Sequence, residues 1–253
     1  HQEMSAQTAA DLLLAARRER GQLAGLPSTS APATIAEAHA AQDLIVAALG
    51  GRGGWKVGAA SGTTEPGVSA LPRSLMRESP ARFAASEFSW VGIEGEIAFR
   101  FARALPARAT PYSQAEVLDA VATVHPAIEL VDSRYIDWRT RSALEQAADL
   151  GNHGAFVLGP ASRGVGPTID QVTLAAEIHV NGEKRVALVG ANTAGDVQRL
   201  LTWLANHCAV RGTPIAAGDI VTSGSCTGLI EVRAGDHVSA HLQSLGIAEV
   251  TIE

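Results

Sequence analysis

The chain has 253 residues, of which 46% are hydrophobic and 18% charged, with a formal net charge of -6. That balance supplies a substantial core, which excludes disorder as the whole account. An acidic chain without a basic stripe is a poor candidate for binding phosphate backbones. Its two cysteines, Cys208 and Cys226, cannot build a disulfide framework. No Cys/His spacing for a structural zinc is present. No apolar run approaches the ~20 residues of a membrane helix. The opening residues lack the segments of a signal peptide, so a soluble, cytoplasmic protein is expected. The tripeptide His1-Gln2-Glu3 ahead of Met4 reads as an expression remnant.

Residues 6–24 carry Leu12, Leu13, Ala16 and Leu23 at helical spacing, and Gly25 and Pro27 stop that helix. A second helix is expected from Thr34 to Leu49, ended by Gly50 and Gly51. β-like runs follow at Trp55–Ala59, Trp90–Phe101, Ala127–Asp132, Ala155–Leu158 and Leu174–Val180. The last of these turns at Asn181-Gly182, a hairpin signal. Gln114–Val124 and Thr193–Arg211 read as helices. The end is strand-rich: Ile220–Ser223, Leu229–Arg233, His237–Leu242 and Ile247–Ile252. Helices come early and strands cluster late, which argues an α+β fold rather than βαβ alternation. Residues 1–50 are expected to form a small helical part and 51–253 the main domain.

Three glutamates attract attention. In a strand, residues two apart share a face, so Glu94 and Glu96 project side by side with Ile93 and Ile97 opposite. Adjacent carboxylates repel, and a hard cation with oxygen ligands removes the conflict. A half-buried strand with a wet acidic face explains the same pattern. Glu129 is different, because Ala127 and Val131 share its face while Ile128 and Leu130 line the other. A buried carboxylate must be neutralised, paired or metal-bound. Lys56 or Arg134 are candidate partners, and a divalent cation shared with Glu94 and Glu96 is the alternative.

Lys56 lies between Gly54 and Gly58 on its own strand face, which leaves room for a ligand. A desolvated lysine can move protons near neutral pH, whereas an edge-strand lysine merely guards against aggregation. The loop Thr222-Ser223-Gly224-Ser225 offers N–H and O–H donors to an anion. Asn152 and His153 offer donors from the turn Gly151–Gly154. Gly190–Gly195 opens a helix and can hold an anion at its N-terminus. Cys208 is expected in the core and Cys226 exposed.

These pieces occur in a telling order: Trp55-Lys-Val-Gly58, Ile93-Glu-Gly-Glu-Ile-Ala-Phe99, Ala127-Ile-Glu-Leu-Val-Asp-Ser-Arg134 with Asp137-Trp138, Leu200–Asn206, and Gly218-Asp-Ile-Val-Thr-Ser-Gly224. From about residue 35 onward the chain resembles the 2-keto-4-pentenoate hydratase / 4-oxalocrotonate decarboxylase branch of the fumarylacetoacetate hydrolase superfamily. The resemblance implies a fumarylacetoacetase-like mixed β-roll with peripheral helices, assembled as a homo-oligomer. It implies Mg²⁺ or Mn²⁺ held by Glu94, Glu96 and Glu129, and a catalytic lysine at Lys56. The implied substrate is a small 2-oxo-enoic or 2-hydroxydienoic acid, and the implied activity is a lyase, foremost a hydratase, working through a metal-stabilised enolate. Decarboxylation, C–C hydrolysis or silent binding of an oxo acid are the alternatives. Expected substrate-binding residues are Ser223, Gly224, Ser225 and Asn152. One departure stands out. Where many hydratases of the branch have Pro-Asp, this chain has Pro72-Arg73. Arg73 then becomes a candidate for a second substrate carboxylate.

Overall fold

The computed structural model describes residues 2–253. Of the opening tripeptide, His1 lies outside the described residues, and Gln2 and Glu3 already belong to helix α1 (Gln2–Glu19). That helix starts and ends earlier than its apolar spacing predicts. Arg20 turns into the left-handed region at φ 52°, and Leu23 leaves the helical pattern to bridge Tyr135. Helix α2 (Ile35–Ala48) begins where Thr34 caps it, its side chain accepting from the Glu37 N–H.

The strands follow: β1 (Arg52–Gly58), β2 (Gly67–Pro72), β3 (Met76–Glu78), β4 (Ala81–Phe83) and β5 (Val91–Phe101). Helix α3 (Gln114–Asp119) precedes β6 (Val121–Val131), and helix α4 (Ala143–Ala148) precedes β7 (His153–Leu158). Next come β8 (Ala175–Val180), β9 (Glu183–Val189) and helix α5 (Val197–Arg211). The chain ends in β10 (Ile220–Ser225), β11 (Ile230–Val232), β12 (His237–Leu242) and β13 (Gly246–Ile252).

Two sequence expectations need correction. The helix expected over Gln114–Val124 stops at Asp119, and Val121 already starts β6. Val121, Thr123 and Val124 are β-branched and pair with Phe101, Arg100 and Phe99 of β5, so sheet pairing wins over helical spacing. Helix α5 begins at Val197 rather than Thr193. The Asp196 carboxylate caps it by accepting from Gln198 and Arg199 N–H, so the helix end that the Gly190–Gly195 pattern offers to an anion is filled by the chain's own carboxylate. The strands β2, β3, β4 and β9 and helix α4 carry no clear periodic signal in the sequence. The Asn181-Gly182 turn does its expected work: both residues have positive φ, and β8 and β9 pair antiparallel across it.

The strands form two sheets. The larger runs β2-β1-β10-β5-β6-β7-β3, with β11 also paired to β5, and the smaller runs β4-β13-β12-β8-β9. One face of the central strands packs on the smaller sheet, where Ile93, Ile128 and Leu130 meet Ile178, Val238 and Val250. The helices join a second cluster, in which Leu13, Ile45 and Leu204 share a core with Trp55, Phe99 and Tyr135. The hydrophobic core is thus continuous between residues 1–50 and the rest. Among the described residues no helix is long and apolar enough to cross a membrane.

Helix α2 also carries a pH-sensitive contact. His39 is buried, packs edge-on against His207 at 5.4 Å, and is lowered to about 4 by burial, with Arg211 and His207 adding repulsion. Its folded value lies below its unfolded one, so the unfolded chain binds the extra proton. The stability this group contributes is complete above about pH 6.5 and fades as pH falls toward 4. His39→Gln is expected to flatten that part of the acid arm, seen as a smaller fall in melting temperature between pH 7 and pH 5 than in the wild type.

Candidate active site

The carboxylate face of the large sheet is not wet. Glu96 is 2% exposed and Glu129 4% exposed, and Glu94 is half-buried at the pocket, which removes the reading of this strand face as a solvated surface. The strand register explains the convergence. Glu94 on β5 stands directly opposite Glu129 on β6, and Glu96 stands opposite Ala127 on the same face. Carboxylate oxygens of Glu94, Glu96 and Glu129 lie within 4.8 Å of one another.

Lys56 reaches this cluster from β1, three strands away from β6. In a flat sheet that separation is ~14 Å. Lys56 Nζ nevertheless donates to Glu129 Oε2 at 2.8 Å and to the Gly151 carbonyl at 2.8 Å. The sheet therefore curls so that β1 and β6 approach across its concave face. Lys56 is also no edge residue, since β1 runs between β2 and β10. Its flanking glycines have different reasons. A Cβ on Gly54 would lie 1.9 Å from the Ile220 carbonyl oxygen, so that glycine lets β10 approach rather than a ligand. Gly58 has open space beside it and lines the pocket. Gly151 has φ 61°, and a Cβ there would press on the Lys56 ammonium.

The electrostatics follow from burial and pairing. Burial pushes the Glu129 carboxyl up, but the Lys56 charge and hydrogen bonds from His153 and Lys56 outweigh it and hold it at about 2. Burial, and then the Glu129 charge, lift Glu94 to about 7 against Lys56 and a hydrogen bond from Ser225. Glu96 is raised well above the usual carboxylate range by burial, Glu129 and Glu94, although Thr222 donates to its Oε1 at 2.6 Å. Two carboxylates strained by a third are a donor set short of positive charge. Hard oxygen ligands in this arrangement fit a divalent cation such as Mg²⁺ or Mn²⁺.

His153, a candidate donor in the sequence, takes a different place from the one its context suggests. A Gly-bounded polar turn suggests a flexible loop, yet His153 is fully buried at the start of β7. Its Nδ1 lies 2.7 Å from Glu129 Oε2, and burial lowers it to about 4 despite Glu129. The ring is therefore neutral at pH 7, and a carboxylate can only accept, so Nδ1 carries the proton. Arg17 and Arg134 both donate to the His153 carbonyl, at 3.1 and 2.8 Å, which fixes the ring's base. His153→Ala is expected to leave the three glutamates in place but weaken divalent-cation affinity ~10–100-fold, as loss of a ligand-orienting partner does. Isothermal titration with Mn²⁺ checks this.

The other expected site residues divide. Gly224 and Ser225 line a pocket of about 450 Å³ together with Lys56, Glu94, Glu96, Glu129 and Asn152. Asn152 is committed to structure: its amide donates to Gln146 Oε1 and its carbonyl accepts from Ser133. Ser223 turns the other way. The ladder between β10 and β5 skips from Thr222 to Ser225 in a bulge, where Gly224 adopts φ 97°. Ser223 is fully buried, donates to the Ile97 carbonyl, and lies outside the pocket lining. Arg73 is also away from the pocket. It sits exposed in a short turn after β2 and donates to the Arg52 carbonyl. From the stretch that carries the departure, Ser69 lines the pocket instead, paired across β2 with Lys56. Asn192, in the loop before α5, is spent on the Ser223 carbonyl and Gln171. Cys226 is buried, contrary to expectation, and its thiol is pushed up to about 12 by burial and Glu96.

Residues 62–253 match the fumarylacetoacetate (FAA) hydrolase C-terminal family. The chain belongs to the fumarylacetoacetate hydrolase family. Its relatives lie in the hydratase and decarboxylase branch. It is 31% identical over 162 residues to a 2-hydroxyhexa-2,4-dienoate hydratase of Comamonas testosteroni, covering 62% of this chain and 58% of that protein. A 2-keto-4-pentenoate hydratase of Dechloromonas aromatica is 28% identical over 96% of this chain and 95% of its own length. A 4-oxalocrotonate decarboxylase of a Pseudomonas species is 28% identical over 84% and 85%. The first of these alignments spans less than two thirds of the relative's own length. Among solved structures, 4-oxalocrotonate decarboxylase from Pseudomonas putida G7 superposes with a TM-score of 0.85 at 24% identity, covering 100% of this chain and 98% of that one. The β-roll with peripheral helices is thus the family's fold.

Proposed function

We propose that this protein is a divalent-cation-dependent lyase that hydrates a small 2-hydroxydienoic acid in its 2-oxo or enol form. The observation that carries the reading is the convergence of Glu94, Glu96, Glu129 and Lys56 in one pocket. Support comes from relatives named as 2-hydroxyhexa-2,4-dienoate and 2-keto-4-pentenoate hydratases. The P. putida decarboxylase of the same fold is complexed with magnesium and adipate.

Glu94, Glu96 and Glu129 would hold the cation, which when bound withdraws charge from the 2-oxygen of the acid. The remaining work falls to the chain. Lys56 Nζ uses two donors on Glu129 and Gly151 and keeps a third for the substrate. Hydration requires a proton to leave the 2-hydroxyl, a proton to arrive at the far end of the conjugated chain, and water to add beside it. We assign this proton transfer to Lys56, whose ammonium faces the three glutamates in the pocket. The bulge at Gly224 brings backbone close to the pocket, and the Ser225 hydroxyl steadies Glu94.

A second reading, decarboxylation, is supported by the decarboxylase superposition over the full chain. Purified protein with Mg²⁺ is expected to bleach the conjugated absorbance of 2-hydroxypenta-2,4-dienoate and yield the 4-hydroxy-2-oxo acid. CO₂ release from 4-oxalocrotonate without hydration of the dienoate would favour the second reading. Activity on neither substrate would remove both.

A further inference from the structure

We infer that the pocket selects 2-oxo acids with an uncharged tail and rejects those with a second carboxylate. The inference rests on the site reading above and names its substrate class. All four ionisable side chains that line the pocket form one cluster, Lys56 with Glu94, Glu96 and Glu129. The rest of the lining is neutral. One wall is Val57, Gly58, Val68 and Ser69 from β1 and β2; another is Ala143, Gln146 and Ala147 from α4.

Charge decides what such a pocket accepts. Three carboxylates are balanced by one divalent cation and Lys56. A substrate carboxylate bound at that cluster leaves one excess negative charge. A second carboxylate on the tail doubles the excess and finds no cation to meet it. Among the described residues, Lys56 is the one cationic side chain in the lining, and it is already shared with Glu129. The nearby arginines are engaged elsewhere. Arg73 donates to the Arg52 carbonyl, and Arg141, just before α4, donates to the Ala24 carbonyl and faces Glu145. An anion placed against the α4 wall gives up water and gains no charged partner. Gln146 offers little compensation, because its amide donates to the Arg141 carbonyl and its oxygen accepts from Asn152.

The test compares two six-carbon acids that differ only at the far end, 2-oxohexanoate and 2-oxoadipate. Binding to the full chain is measured by isothermal titration at saturating Mg²⁺, without turnover. The wild type is expected to bind 2-oxohexanoate at least fivefold more tightly. Ala143→Arg places a cation on the exposed first turn of α4 and should shrink or reverse that ratio. A wild-type ratio below fivefold, or a preference for the diacid, overturns the inference while leaving the site reading intact. A ratio that Ala143→Arg does not change overturns the assignment of selectivity to the α4 wall. Failure of both acids to bind defeats the site reading itself, and this inference with it.

Discussion

Glu129→Gln is expected to lower divalent-cation affinity by at least ~100-fold and to abolish turnover while the chain stays folded. Removing a ligand should cost no less than the ~10–100-fold typical of losing an outer-shell partner. The amide keeps the size of the carboxylate and can still accept from Lys56 Nζ and His153 Nδ1, the two donors that meet Glu129 now. What disappears is the one carboxylate of the cluster held at about 2. Its loss also relieves the repulsion that lifts Glu94 and Glu96. Metal-free melting temperature should therefore change little. Ligands that bind only the native state raise melting temperature by mass action. Wild-type protein should accordingly melt higher as Mg²⁺ is added, and the variant should not. An undiminished Mg²⁺ response in Glu129→Gln would show that the cation is held elsewhere.

Lys56→Met should separate chemistry from cation binding in the opposite sense. The variant keeps much of the apolar stem and removes one positive charge from beside Glu129. The three glutamates then face the cation with no competing ammonium, so Mg²⁺ affinity is expected to hold or rise. Turnover should fall ~10²–10⁴-fold, the range for removing a positioned proton donor or acceptor. The drop belongs mainly in kcat if Lys56 moves a proton, and mainly in KM if it only balances substrate charge. Steady-state kinetics at saturating Mg²⁺, alongside a Mg²⁺ titration, give both quantities. Unchanged kcat and KM would leave the lysine a structural partner of Glu129 and Gly151.

Local chemistry was enough to mark Glu94, Glu96 and Glu129 as candidates, with a wet strand face and an ion pair left open beside the metal. The two-residue spacing of Glu94 and Glu96 puts them on one strand face whatever the sheet does. Glu129, set among Ala127, Ile128, Leu130 and Val131, has no route to a polar surface in any strand. Both facts survive folding unchanged, and the motifs that contain them also announce the family. The hairpin at Asn181-Gly182 is equally local, because positive φ at both positions dictates the turn.

Contacts between elements were another matter, since they depend on register and curvature. No spacing shows that Glu94 stands opposite Glu129, or that Lys56 reaches Glu129 across the two intervening strands. Ser223 looks as available as Ser225 in the sequence, but one extra residue in the bulge sends its hydroxyl to the Ile97 carbonyl. Arg73 follows Pro72 in sequence, yet the turn after β2 carries it away from the site, while Ser69 takes the pocket face. Val121–Val124 continue a helical pattern, and only the neighbouring β5 ladder makes them strand. His153 is polar, glycine-flanked and loop-like in sequence, and it becomes a buried partner of Glu129 because it starts β7, which pairs with β6. Within a regular strand the sequence determined which side chains share a face, as for Glu94 and Glu96. The tertiary structure decided which of those faces meet, because a side chain's direction is set by its own backbone and its partner by everything that packs around it.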